Sequence, residues 1–374
     1  MQRESRKGRA DPITLKIGSY VKKMSFEDNI RKVVPYTPGE QPKSDDLIKL
    51  NTNESPYPPS PLVSEAIRNF DADKLRKYPD TNATELVDEL ARTYDLKSDN
   101  IFVGIGSDDV LALAFLTYFN SDKPILFPDI TYSFYDVWAD LYRIKYETKA
   151  LDDDFNIVKQ DYLCDNGGVV IANPNAPTGA QMPLEDIEEI IAFNKDRVVI
   201  VDEAYVDFGA ESAIPLIDKY ENLVVVQTFS KSRALAGIRI GMAFGQKKII
   251  DYLKDVKFSF NSYTLNPVTI AIGAAALRDD AYFKDITAKT VSTRERVKKE
   301  LKALGFSFAD SKTNFIFAKH ESVKAKELFE ALKAQNIYVR FFNKPRIDDY
   351  LRISMGTDEQ MDKVITFLKG YLNG

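Results

Sequence analysis

The sequence predicts an α/β fold: a large unit on a mostly parallel, seven-stranded sheet, followed by a smaller α+β unit. Three observations carry this expectation. Short β-branched runs alternate with helical patterns through the middle of the 374-residue chain. Glycines and polar residues cluster directly after those runs. Beyond Asn266-Pro267 the order changes to long helical patterns and then strands.

The seven strand candidates are Ile101–Val103, Pro124–Phe127, Tyr142–Glu147, Val169–Ala172, Val198–Val201, Leu223–Gln227 and Ile240–Phe244. Helical patterns between them cover Thr84–Tyr94, Asp109–Phe119, Tyr132–Leu141 and Leu184–Phe193. Such alternation implies a sheet covered on both faces, with right-handed crossovers that bring the strand ends to one common edge. The later part reads as helices over 267–277 and 284–304 and a strand Asn314–Ala318. A helix Val323–Gln335, strands Ile337–Phe341 and Leu351–Ser354, and a final helix Thr357–Leu372 complete it. Thr357 to Gln360 gives the last helix a capping start. The expected organisation is a flexible extension (1–23), an N-terminal arm with part of the small domain (24–60), a large domain (61–280) and a small C-terminal domain (281–374). The Pro-rich stretch Ser55–Pro61 reads as the link from arm to large domain, and Met24 as a candidate start.

Composition narrows the function. With 44% hydrophobic residues the chain can bury a large core. Its 51 basic and 56 acidic residues argue against nucleic-acid binding, which favours a basic excess. No apolar run is long enough to span a bilayer, and the N-terminus lacks the apolar stretch of a signal peptide. The one cysteine, Cys164, rules out an intrachain disulfide and suits a cytoplasmic location. The one histidine, His320, reads as structural, which leaves no histidine-based triad or metal cluster.

Ligands of open α/β sheets bind outside the carboxyl ends of the strands, so motifs far apart in sequence should converge there. Lys231 follows an apolar run and Ser230, and precedes Gly237 and Arg239. Asp202 ends another apolar run, with Tyr205 close behind. A lysine amine, a buried acid and an arginine at strand ends are what pyridoxal phosphate requires. The amine bonds the aldehyde, the acid keeps the pyridine nitrogen protonated, and the guanidinium holds the phosphate. A Walker B role for Asp202 would need a G-x-x-x-x-G-K-[ST] motif, which the chain lacks. Gly104 to Asp108 suits a phosphate cradle or an ordinary helix start; as a cradle it requires the Asp108 side chain to turn aside toward backbone amides. Tyr132 suits ring stacking or a core position, and Tyr205 a phenolate contact or a half-buried packing role. Arg352, within an apolar strand, needs either an acid partner or a substrate anion, and Arg340 has the same two readings.

The chain resembles the fold-type I pyridoxal-phosphate aminotransferases, and within them the histidinol-phosphate aminotransferase subgroup. The resemblance runs from about Asn29 to the C-terminus. Its motifs include Val34-Pro35-Tyr36-Thr37-Pro38-Gly39, Leu50-Asn51-Thr52-Asn53-Glu54, Lys77-Tyr78-Pro79 and Gly106-Ser107-Asp108-Asp109. Asn175-Ala176-Pro177-Thr178-Gly179, Asp202 to Tyr205, Ser230-Lys231 through Arg239, and Leu351 to Thr357 complete the set. The resemblance implies Lys231 as the Schiff-base lysine, Asp202 on the pyridine nitrogen and Tyr205 on the phenolate oxygen. It implies Ser230, Arg239 and the Ser107 and Asp108 amides on the phosphate, and Tyr132 on the ring. Tyr78 would reach the neighbouring subunit's cofactor phosphate, which implies a homodimer with shared sites. Tyr36, Asn53, Arg340 and Arg352 would line the substrate pocket. Where the family often has asparagine before Pro-Thr-Gly this chain has Ala176, so Asn175 or Asn173 is the expected amide donor.

The implied reaction converts histidinol phosphate and 2-oxoglutarate to imidazole acetol phosphate and glutamate. Alternatives on the same fold are an aromatic or broad-specificity aminotransferase and a threonine-phosphate decarboxylase. More distant is a non-catalytic protein that binds pyridoxal phosphate or a nucleotide.

Overall fold

The computed structural model describes residues 25–37, 39–42 and 47–373. The expected extension 1–23, Met24 and Pro38 of the arm motif lie outside them. The described residues up to Val34 group as one unit, with a Ser25-capped 3-10 turn at Phe26–Asn29. Everything below concerns the second unit, from Pro35 onward.

In chain order the strands are β1 (Ile48–Lys49), β2 (Ile101–Gly104), β3 (Ile125–Pro128), β4 (Tyr146–Lys149), β5 (Gly168–Ala172), β6 (Val199–Asp202) and β7 (Leu223–Thr228). There follow β8 (Gly241–Phe244), β9 (Phe306–Phe308), β10 (Phe315–His320), β11 (Ile337–Tyr338), β12 (Arg340–Phe341) and β13 (Leu351–Ser354). The helices are α1 (Pro61–Arg68), α2 (Thr84–Tyr94), α3 (Gly106–Tyr118), α4 (Tyr135–Tyr142) and α5 (Leu184–Phe193). After them come α6 (Lys247–Phe260), α7 (Pro267–Arg278), α8 (Asp280–Ala303), α9 (Ala325–Ala334) and α10 (Asp358–Asn373).

The large sheet has seven strands in the order β2-β8-β7-β6-β5-β3-β4. All are parallel except β8, which runs against both neighbours. The apolar runs are continuous because both faces are covered: Val199 and Val201 join one buried cluster, and Ile200 joins the other. Each large side chain buried in this way contributes roughly 1.5–3 kcal/mol. A four-stranded antiparallel sheet, β12-β13-β10-β9, forms its own core with α8, α9 and α10. The arm segment joins it through β1, paired in parallel with β11.

Several expected boundaries shift for physical reasons. The Tyr142–Glu147 strand begins only at Tyr146, because α4 continues to Tyr142 and Arg143, at φ +62°, closes it. Helix α3 starts at Gly106 rather than Asp109, which draws Gly106, Ser107 and Asp108 into its first turn. The Ile337–Phe341 strand divides, since its first half pairs with β1 and its second with β13. Helix α1 starts at the end of the Pro-rich link, with Ser60 capping it and Pro61 in its first turn.

Candidate active site

The topology brings the polar motifs together. The carboxyl ends of β2, β5, β6 and β7 share one edge, and the reversed β8 starts there. A cavity at this edge is lined by Ser107, Asp108, Tyr132, Asp202, Tyr205, Ser230, Lys231 and Arg239, eight of the residues expected from sequence.

Asp202 ends β6 at the cavity floor and is 5% exposed. Its carboxylate accepts from the Tyr135 hydroxyl at 2.7 Å and the Ala204 amide at 3.1 Å. No cation pairs with it among the described residues. Burial pushes its pKa up to about 6, against the hydrogen bonds that favour the charge. A cationic ligand group seated against Asp202 would restore its ionisation, and a protonated pyridine nitrogen meets that need.

Lys231 lies just past β7, and its Nζ donates to the Thr52 carbonyl at 3.1 Å. Tyr205, just past β6, accepts from Asn53 Nδ2 at 2.8 Å. Asn53 is itself fixed, at φ +57°, by bonds between its backbone and side chain and the Ser354 hydroxyl.

At the other end of the cavity the first turn of α3 meets Arg239 and Ser230. Arg239 Nη1 donates to Ser230 Oγ at 3.4 Å. Close backbone approach explains two glycines. Gly106 has φ +84°, and a Cβ on Gly241 would lie 2.2 Å from the Gly106 carbonyl carbon and 2.3 Å from the Ser107 nitrogen. The amides of the α3 start, its dipole and Arg239 make an anion corner that suits a phosphate. The Asp108 side chain is not turned toward backbone amides as expected. It accepts from the Tyr132 hydroxyl at 2.7 Å and pairs with Arg239 at 3.3 Å. Asp109 takes the amide role instead, accepting from Ile105 N at 2.9 Å.

The expected amide donor is a correction. Asn175 is fully buried, but its carboxamide is already used, by Thr178 of its own loop and by Thr131 and the Ile130 carbonyl of the segment after β3. Asn173 is occupied on both sides by the Met182 backbone. The residue of this loop's motif that faces the cavity beside Pro174 is Ala176, which offers no amide side chain.

Arg340 and Arg352 stand directly opposite each other in the β12–β13 register. Neither has a carboxylate partner among the described residues. Arg352 Nη2 donates to the Asn51 carbonyl at 2.8 Å, while its buried Nε has no partner. Burial pulls its pKa down, and Arg340 adds to this. Opposed like charges are destabilising unless an anion lies between them. Tyr36 stacks on Phe134 at 4.2 Å. Tyr78 is 81% exposed, away from this chain's cavity, and stacks on Tyr263 at 4.5 Å.

Sequence reasoning missed Tyr135, Thr52 and Glu54. In the helical pattern expected over Tyr132–Leu141, Tyr135 falls on the same face as Tyr132, which points to it. Thr52 acts through its carbonyl, which any residue supplies. Glu54 follows Asn53 in the same motif, but nothing in the sequence gives it a role.

The fold and this constellation define an aminotransferase of the pyridoxal-phosphate type. A family model for aminotransferase class I and II matches residues 45–368. The histidinol-phosphate aminotransferase of Lactococcus lactis subsp. cremoris is 53% identical over 93% of this chain and 98% of its own length. That of a Marinomonas species is 54% identical over 92% and 98%. A crystal structure of a histidinol-phosphate aminotransferase from Sinorhizobium meliloti in complex with pyridoxal-5'-phosphate superposes with TM-score 0.77 at 24% identity, covering 87% of this chain and 91% of that one. The chain therefore belongs to the class I and II aminotransferases, in their histidinol-phosphate aminotransferase branch. It is an enzyme that depends on pyridoxal phosphate.

Proposed function

We propose that the enzyme transfers the amino group of histidinol phosphate to 2-oxoglutarate, yielding imidazole acetol phosphate and glutamate, in histidine biosynthesis. The carrying observation is the opposed pair Arg340 and Arg352, which have no acid partner among the described residues, with Arg352 Nε buried and without a hydrogen bond to them. A guanidinium fork accepts a phosphate or a carboxylate equally well, so one site can serve both half-reactions.

Pyridoxal phosphate, when bound, supplies the electron sink that makes the amine-bearing carbon acidic. The chain's own groups do the rest. Lys231 Nζ would anchor the cofactor and, once displaced by the donor amine, remove the proton from the amine-bearing carbon. Asp202 would hold the ring nitrogen protonated, with Tyr135 fixing the carboxylate. Tyr205 would donate to the phenolate oxygen, its own oxygen being held by Asn53. Ser230, Arg239 and the Ser107 and Asp108 amides would bind the phosphate. Tyr132, held by its bond to Asp108, would cover the ring face.

The proposal includes a homodimer in which Tyr78 reaches the partner's cofactor phosphate. Support comes from its exposure and from that of Tyr263, on which it stacks, 46% exposed. It also includes a cytoplasmic location, with which the exposed free Cys164 agrees, and the domain division 24–60, 61–280 and 281–374, supported by the separate core of the small sheet. Among the described residues no helix is long and apolar enough to cross a membrane.

Half-reactions followed by the cofactor absorbance test the substrate. Histidinol phosphate and glutamate should each bleach the band, more efficiently than phenylalanine or threonine phosphate. If threonine phosphate is the better substrate and releases carbon dioxide, the decarboxylase alternative replaces this assignment.

A further inference from the structure

Four consecutive residues, Asn51 to Glu54, run along the wall of the site and touch its chemistry in order. The Asn51 carbonyl accepts from Arg352 at 2.8 Å. The Thr52 carbonyl accepts from the Lys231 amine at 3.1 Å. The Asn53 amide donates to the Tyr205 hydroxyl at 2.8 Å. Glu54 follows, and it lines the cavity. A donor lying along this segment would meet an anion receptor first, the reacting amine second and a carboxylate last. Histidinol phosphate has the same linear order: phosphate, amine-bearing carbon, imidazole.

The Glu54 carboxylate is both oriented and open. Lys49 Nζ and Thr52 Oγ1 both bond to Oε2, the latter at 2.8 Å. Oε1 has no partner among the described residues. The other two carboxylates that line the cavity are occupied. Asp202 has both oxygens bonded, by Tyr135 and Ala204. Asp108 has both bonded, by Tyr132 and Arg239. Burial works to raise the Glu54 pKa, but the bonds from Lys49 and Thr52 outweigh it and hold it below the usual value. The carboxylate is thus charged at neutral pH and able only to accept.

We propose that Glu54 is the specificity residue for the donor's ring: Oε1 accepts the imidazole N–H, while Lys49 and Thr52 hold the carboxylate in place. This rests on the reading that histidinol phosphate is the donor. A site built to bond an N–H rejects a ring without one.

The test compares histidinol phosphate with the phosphate ester of phenylalaninol, which keeps the anion and the amine but has no ring N–H. Half-reaction kcat/KM is measured for both donors in wild-type holoenzyme and in Glu54→Gln and Glu54→Ala. The ratio between donors is internal to each preparation, so partial loss of folded protein cancels. The expected result is a wild-type preference for histidinol phosphate that falls at least tenfold in Glu54→Ala, with Glu54→Gln intermediate because its amide oxygen can still accept. A ratio unchanged in both variants overturns the assignment of Glu54 while leaving the substrate intact. A wild-type enzyme that processes glutamate but not histidinol phosphate overturns the substrate reading, and this inference with it.

Discussion

At the residue scale, the site is a set of charges waiting for their complements. Arg352 presents a buried Nε with no partner, beside a second arginine. Hydrogen bonds to charged groups contribute about 1.5–3 kcal/mol. Arg352→Ala is therefore expected to raise KM for both histidinol phosphate and glutamate by roughly 10- to 150-fold while the bound-cofactor spectrum persists. An unchanged KM for both would remove Arg352 from the substrate site. On the proposed cofactor side the corresponding group is Asp202. Asp202→Asn keeps the bond to Tyr135 feasible but removes the negative charge, so weaker cofactor retention on dialysis and a fall in kcat are expected together. Lys231 and Asp202 were legible in the sequence because strand ends of an open sheet are where such groups gather. Asn175 was not, because nothing in its motif says that a buried carboxamide is already used by Thr131, Thr178 and Ile130.

At the element scale, the reversed strand β8 shapes the corner proposed to hold the cofactor phosphate. Its first residue, Gly241, lies against the start of α3 so closely that a methyl group would collide with backbone atoms of Gly106 and Ser107. Overpacking of this kind costs about 1–3 kcal/mol. Gly241→Ala should weaken pyridoxal-phosphate binding about tenfold or more, read by titration of the apoenzyme, with less effect on KM of the loaded enzyme. Just past the end of β6, next to Asp202, lies Glu203, buried against Ser212, Ala213 and Gln227. Burial raises the pKa of Glu203 to about 7, above its ordinary value of 4.5. The folded state thus holds a proton that the unfolded state has already released between these values. Stability from this group is full below pH 4.5 and declines as pH rises through about 7. Glu203→Gln should flatten the decline of apoenzyme Tm between about pH 5 and 8; an unaltered slope would contradict the assignment. The helices Thr84–Tyr94 and Leu184–Phe193 match the sequence pattern to the residue, because each turns one apolar stripe inward. The two-residue strands β1, β11 and β12 were not separable from sequence, since their limits are set by partners far away in the chain.

At the scale of the whole molecule, the proposed site is incomplete in one chain. Tyr78 is exposed and lies outside the cavity of its own chain, so its assigned contact requires a second copy. Lys231→Ala retains Tyr78, and Tyr78→Ala retains Lys231. If each site draws on both chains, mixing the two inactive variants under exchange should restore roughly a quarter of wild-type activity, the share of intact sites in random pairs. No recovery, with mixed dimers present by mass, would show that each site is complete within one chain. The topology makes the rest of the site legible at this scale: the reversal of β8 brings Arg239, late in the chain, to the same edge as Ser107.

The most direct measurement is chemical. Holoenzyme loaded with pyridoxal phosphate is treated with borohydride, digested and mapped by mass spectrometry. The pyridoxyl group is expected on the peptide carrying Lys231, with Asp202→Asn labelled at the same position. Label on another lysine, or none on Lys231 in fully loaded protein, would contradict the account of the site at its centre.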